Sequence, residues 1–343
     1  VCSDKNGRSG YKKERGMKKL VVLLVMLALV MPAFADDAKV LPAGVLRTYF
    51  APSYSFASQS FDADGDKVDL PASGGGAVSF INLGAAFEYG VNDWITAAVQ
   101  WAPGVNVSST FDDNDDLSAN GMFEAFVGAK FQIVGEKAPV ALSNARVAFA
   151  PGVMVPLAFG YDAEEEATNV LNSEAYNVLP ANNVFGFGGR FYADYIVNKS
   201  VFLNLYSEFK YFLPKAGEDD FAQQVTKVYT ESPSVSYTLP DEINYGYELT
   251  VEFEPHYATM FSDGVELSLG LPLAYVITPD TEIDGVSQDN ASSLLKVSPS
   301  VSAFFMKSPL PIEFKLGYTY PILGENTNVL NTVVAQIKAY AKF

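Results

Sequence analysis

Apolar and polar residues alternate one for one along segment after segment of this chain. From Asn331 onward, Val333, Ala335, Ile337, Ala339, Ala341 and Phe343 share one parity, and Thr332, Gln336, Lys338, Tyr340 and Lys342 share the other. Successive side chains of a strand point to opposite faces, so such a segment is a ribbon with one apolar and one wet face. The pattern recurs near 45–57, 78–90, 94–103, 122–134, 145–158, 184–197, 201–211, 245–257, 265–275, 294–306 and 312–321. In 122–134, for example, Phe123, Ala125, Val127, Ala129, Phe131 and Ile133 oppose Glu124, Gly128, Lys130 and Gln132. That makes about twelve strands, with ten to fourteen admitted by the weaker pattern at 145–158.

The connections alternate as well. Those near 90–93, 135–144, 197–200, 258–264 and 307–311 are short, whereas those near 58–77, 104–121, 159–183, 214–243, 278–292 and 322–330 are mostly long and polar. Short turns at one end and long loops at the other describe an up-and-down membrane-spanning antiparallel β-barrel, periplasmic turns against extracellular loops. Hydrocarbon cannot satisfy an open sheet edge, which is why such a sheet must close. A soluble β-sandwich would need neither the one-sided loops nor aromatics gathered near strand ends, such as Tyr89, Trp94, Tyr211 and Tyr257. Pro52, Pro151, Pro255, Pro272 and Pro299 fall inside the expected strands, where proline removes a ladder donor, so bulges or shifted strand limits are expected there.

Met17–Ala35 has the parts of a secretory signal: Lys18 and Lys19, an apolar run from Leu20 to Met31, and Ala33-Phe34-Ala35 as a small-residue cleavage site. Its run of about a dozen apolar residues falls short of the roughly 20 a spanning helix needs. Residues 1–16 read as an over-extension of the reading frame, 17–35 as the cleaved signal, and 36–343 as a single barrel domain, placed in a bacterial outer membrane after cleavage near Ala35. Cys2 precedes the signal, which leaves the mature chain without disulfides. The formal charge is −17 overall, and the first 35 residues are basic, so the mature chain is more acidic still. Binding to nucleic acid by phosphate neutralisation is thereby excluded.

With its signal, hairpin alternation and Phe343, the chain resembles Gram-negative-type outer-membrane β-barrel proteins. The resemblance implies that Phe343 is an assembly signal and that the partners are outer-membrane lipid, the barrel-assembly machinery and periplasmic chaperones. Phe87-Glu-Tyr-Gly-Val-Asn-Asp-Trp94 and Ala150-Pro-Gly-Val-Met-Val-Pro156 are similar to the transporter barrels related to phenol-degradation and fatty-acid channel proteins. Fatty-acid channels carry an N-terminal hatch with an Asn-Pro-Ala element. Here Leu41-Pro42-Ala43 lacks the Asn, and Asp36–Gly44 is too short for a hatch, which points away from a hydrophobic substrate.

The wet parity collects Arg47, Glu124, Lys130, Arg190, Asp194, Glu208, Lys210, Glu248, Glu252, Glu254, Lys296, Glu313 and Lys315 as candidate lumen-lining residues. Charges of both signs suit either a water-filled passage or a lumen zipped by ion pairs, because side chains of a narrow barrel reach across much of the bore. In the open case, Glu248, Glu252 and Glu254 would face Arg190, Lys210 and Lys296 across it. No cofactor is expected. Asp62, Asp64, Asp66 and Asp69, and Asp112, Asp113, Asp115 and Asp116, are oxygen-rich loop clusters able to hold Ca2+ or Mg2+ loosely. The first departs from an EF-hand, with Lys67 at the glycine position and Ser73 at the bidentate position.

An acidic mouth concentrates cations, so the expected function is diffusion of small, cation-leaning solutes. The alternative is a non-transporting surface barrel acting as an adhesin or structural protein. Enzymatic function is not expected: the lone His256 sits beside Glu254 with no serine evident within hydrogen-bond reach.

Overall fold

The computed structural model describes residues 37–343 except 71–75, 112–119, 173, 175, 180–181 and 231–235. Among these, a 12-strand antiparallel sheet closes on itself as a barrel. The strands are β1 (Val45–Ala57), β2 (Val78–Asn92), β3 (Ile95–Phe111), β4 (Ala125–Gly135), β5 (Ala145–Val155), β6 (Gly186–Ile196), β7 (Val201–Phe212) and β8 (Tyr247–Ser262). They continue as β9 (Val265–Gly270 with Leu273–Thr278), β10 (Ser292–Val297 with Ser300–Phe305), β11 (Ile312–Glu325) and β12 (Asn331–Lys342). Each pairs with the next, and β12 closes on β1 from Val45↔Lys342 to Phe56↔Asn331.

Parity decides what each face touches. On β2, Phe80, Asn82, Ala86 and Glu88 turn inward and are buried, while Ile81, Phe87 and Tyr89 point out. Around the wall Phe50, Phe87, Phe149, Phe187, Leu205, Phe253, Leu316 and Ile337 are between 42 and 58% exposed. In water so broad an apolar band would be an association surface, and in hydrocarbon it is the stable one. The barrel is therefore of the membrane-spanning kind. No helix among the described residues is long and apolar enough to cross a membrane.

The structure corrects several sequence expectations. The long connections at 159–183 and 214–243, read as polar loops, carry helices α1 (Ala163–Asn172) and α2 (Phe221–Thr230). Each starts on an aspartate cap. Asp162 Oδ1 accepts the N–H groups of Glu164 and Glu165, both at 3.0 Å, and Asp220 Oδ1 accepts that of Gln223 at 3.1 Å. The two helices, through Ala167, Phe221 and Val225, pack on the long-loop end of the barrel together with Tyr176 and Val178 of the connection after α1, in one cluster with Ala57, Val78 and Phe80. β3 runs well past residue 103. β4 begins at Ala125, so Phe123, expected on the lipid face, is turned in and buried.

Of the five prolines, Pro272 and Pro299 lie where β9 and β10 are interrupted. Pro52 and Pro151 lie in continuous strands whose ladders skip residues beside them: β1–β12 pairing jumps from Phe50 to Ser53, and β4–β5 pairing from Phe149 to Gly152. Pro255 faces Leu203 within an unbroken register, while its other side borders the break in β9.

Candidate functional site

The interior is divided into levels along the barrel axis. At the long-loop end, beneath the helices, lies a cavity of about 570 Å³ walled by Phe61, Phe123, Phe212 and Phe221, with Glu124 and Glu248 among its lining. Below it a connected chain of inward side chains, a septum, runs from β8 to β1 and steps from β6 to β3 over the two strands between them. Lys210 Nζ lies 2.8 Å from Glu248 and 3.6 Å from Glu208. Arg190 Nε donates to Glu208 Oε1 at 2.5 Å, and its Nη1 reaches the amide oxygen of Gln100 on β3. The Gln100 amide donates to Glu88 at 2.7 Å, and Glu88 pairs with Arg47.

Local sequence builds this septum. The Arg190 guanidinium lies 4.0 Å over the Phe126 ring, a cation–π stack. Phe126 lies flat because Gly128 and Gly152, neighbours across β4 and β5, present no side chain; a Cβ on either would collide with its ring. Beneath the septum is a void of only about 20 Å³, lined by Lys39, Arg47, Glu88, Gln100, Phe126 and Arg190.

A crossbar formed by residues 37–41 lies over the short-turn mouth. The Ala38 N–H donates to both Asp194 oxygens at 3.2 Å, and the Leu41 N–H to Thr96 Oγ1 at 2.8 Å. Lys130 Nζ donates to the Asp37 carbonyl at 2.9 Å, and Arg146 lies 3.1 Å from Asp194 and 3.6 Å from Asp37. Ala38 is fully buried among Ala148, Ala150, Tyr192 and Tyr206. The Gly44 N–H donates to Gly90 O at 2.8 Å, and a side chain at Gly90 would strike the Leu41 and Pro42 carbonyls. Within the stretch 36–44, read as too short for a hatch, residues 37–41 thus supply a crossbar instead.

The candidate lining residues divide accordingly. Arg47, Arg190, Glu208, Lys210 and Glu248 belong to the septum, Lys130 and Asp194 to the crossbar, and Glu124 to the cavity above. Glu313 pairs with Lys338 at 3.3 Å on β11 and β12, with Lys315 half-buried two residues on. Glu252 is buried in one inward row with Ala274 and Lys296, and one of its carboxylate oxygens has no hydrogen-bond partner among the described residues. Glu254 leans over Gly270 and lies 3.5 Å from His256. The expected pairing of Glu248 with a cation across the bore is corrected: Lys210 and Glu248 are register partners on adjacent strands, as are Arg190 and Glu208. The contact that joins non-neighbouring strands is that of Arg190 on β6 with Gln100 on β3, an arginine and an amide. Ser300 lies in the same inward row as His256 with Gly270 between them, and no hydrogen bond joins the two.

Of the acidic loop clusters, Asp62 Oδ1 is taken up by the N–H groups of Asp64 (3.0 Å) and Asp66 (2.9 Å), and Asp69 accepts from Gln59. Asp112, Asp113, Asp115, Asp116 and Ser73 lie outside the described residues. Among the described residues no three His, Cys, Asp or Glu converge as for a metal ion. Asp220 holds the roof. Burial works to raise its carboxyl, but Lys215 at 3.0 Å and the Tyr245 hydroxyl at 2.7 Å outweigh it and keep the group below the usual aspartate range.

No family model matches the chain, and none of the curated proteins matches its sequence. Solved structures do. The COG4313 outer membrane channel from Pseudomonas putida F1 superposes with a TM-score of 0.62 at 12% identity, covering 90% of this chain and 100% of that one. The translocator domain of autotransporter NalP from Neisseria meningitidis scores 0.43 at 9% identity, with 98% of each chain covered. A Pseudomonas aeruginosa FadL homologue scores 0.38 at 10% identity, covering 88% of this chain and 90% of that one. The last two are too loose to carry an argument, and the first shows a shared barrel fold.

Proposed function

We propose that this barrel is an outer-membrane channel for small polar or cationic solutes, held closed in the conformation described. The observation that carries the reading is the kind of closure at the septum. Above it is a solute-sized cavity, and the contact that reaches into the lumen between non-neighbouring strands is one arginine side chain on an amide rather than folded backbone. Such an arm swings aside by rotamer change, a fast motion of small amplitude. The first obstacle to flow would be Arg190 and the second the crossbar 37–41. The acidic loops would then bias entry towards cations, and loosely held Ca2+ or Mg2+ at their exposed aspartates belongs to the same reading. The likeness to the Pseudomonas putida channel supports it at the level of fold.

One observation favours a second reading, a non-transporting surface barrel. Paired buried charges from Arg47 to Glu248 satisfy one another as a structural zipper would. Planar-bilayer recording separates the two. The refolded chain is expected to pass little current. Arg190→Gln combined with deletion of 37–41 is expected to give stable single-channel steps, with reversal potentials favouring cations under a salt gradient. A silent double variant that is folded would overturn the channel and favour the surface barrel.

A further inference from the structure

The cavity above the septum has a chemistry of its own. Its walls carry the rings of Phe61, Phe123, Phe212 and Phe221, and its volume of about 570 Å³ lies in the range of small-molecule sites. Its lining has more carboxylates than cations: Glu124, Asp219, Asp220, Glu248 and Asp289 are set against Lys215, which Asp220 engages at 3.0 Å, and the cations nearest Glu124 and Glu248 below it are spoken for. Glu208 binds Arg190 and Lys210, and Glu248 binds Lys210, so both cations are engaged. The Glu124 carboxylate forms no ion pair among the described residues; its hydrogen bond is to its own main chain, and the cation that acts on it is this same Lys210. A second, independent feature points into the same space. Thr327 is 1% exposed, lines the cavity, and its hydroxyl has no hydrogen-bond partner among the described residues.

We infer that the cavity binds an organic monocation with a ring-bearing apolar body, a protonated amine whose charge rests against Glu124 and whose ring lies among the phenylalanines. A buried carboxylate in excess needs a counter-charge, and the aromatic walls exclude a fully hydrated inorganic ion from contact while suiting a ring. Thr327 supplies a hydroxyl for the polar end of the guest. This deepens the channel reading and rests on it for its meaning in transport, yet binding is measured without flux.

The test uses the full chain refolded in detergent, with folding checked by heat-modifiable electrophoretic mobility, and isothermal titration with three probes that share a phenethyl group: phenethylamine, its isostere 2-phenylethanol, and 3-phenylpropanoate. Phenethylamine is expected to bind about tenfold more tightly than the alcohol, as a charge-assisted contact allows, and the carboxylate most weakly. Glu124→Gln is expected to erase the preference for the amine while leaving the alcohol unchanged, and Thr327→Val to weaken amine binding a few-fold. Equal binding of amine and alcohol, tighter binding of the carboxylate, or an unaltered amine preference in folded Glu124→Gln would overturn the inference. Should that variant fail to fold, the amine-to-alcohol ratio on the unmodified protein decides. Amine binding that depends on Glu124, in a barrel whose doubly opened variant carries no current, would uphold the site and sink the channel.

Discussion

The two ends of the lumen are closed by different physics. At the long-loop end the roof is a helix pair held by apolar side chains, with Tyr176 stacked on Phe221 at 6.1 Å between centroids. At the short-turn end the crossbar is held by hydrogen bonds, and three of its atoms in those bonds are main-chain: Ala38 N, Leu41 N and Asp37 O. Apolar packing gains free energy with area and is not screened by salt as charge pairs are. Buried polar contacts contribute little net stability each, but breaking one partner leaves the other unsatisfied. The roof is therefore built to persist and the crossbar to be exchanged for other partners. The septum between them shares the crossbar's chemistry with more at stake, because all its members but the Gln100 amide are ionisable groups.

The largest effect should come from breaking the septum. Arg190→Ala leaves Glu208 buried beside Lys210 alone, and loss of one partner from such a pair costs on the order of 3–5 kcal/mol. Denaturant unfolding in lipid should show the loss, and Arg190→Lys should recover part of it. A loss below about 1 kcal/mol would mean that the septum is hydrated, and would break the parallel with the crossbar. Next is Phe221→Ala, a ring-to-methyl change of about 3 kcal/mol in a packed cluster. Its effect should stay local: proteolysis within 159–183 and 214–243, with the barrel core intact. Global unfolding at the same denaturant concentration would show that roof and wall are one cooperative unit.

What could be read from the chain follows the same division. The wall was legible because lipid on one side and a wet lumen on the other impose a period of two, and Phe87 beside Glu88 states it residue by residue. The helices were less so. Asp162 before Ala163-Glu-Glu-Glu166 and Asp220 before Phe221 are helix starts, but short helices within acidic stretches look like solvated loops. Phe126 was hidden by its parity, an aromatic ring on the wet face that makes sense only beside Gly128 and a glycine on the next strand. The crossbar left almost no signal, because main-chain N–H and C=O groups are the same in every sequence. The partners of the lumen charges were legible only as a set: composition names Arg190 and Glu208, and register decides that they meet.

Smaller effects sharpen the contrast. Thr96→Val removes one neutral hydrogen bond from the crossbar, about 1 kcal/mol. Amide hydrogen exchange in 37–44 should quicken several-fold while the roof helices keep their protection. Equal quickening at both ends would show that the closures are coupled.

The roof should have a pH response of its own, at the Asp220 contact. The carboxyl of Asp220 titrates below the ordinary aspartate value, so it is ionised more readily in the folded roof than in an unfolded loop. Its stabilising contribution is complete above the ordinary value, about 3.9, and is lost as pH falls through the depressed folded value. Exchange in 214–245, corrected for intrinsic rates, should be unchanged between pH 8 and 5 and should rise below pH 4. In Asp220→Asn the low-pH rise should vanish because the charged contact with Lys215 is already absent. A rise that survives in that variant would place the sensitivity elsewhere, and would leave the roof an apolar closure with no ionic latch.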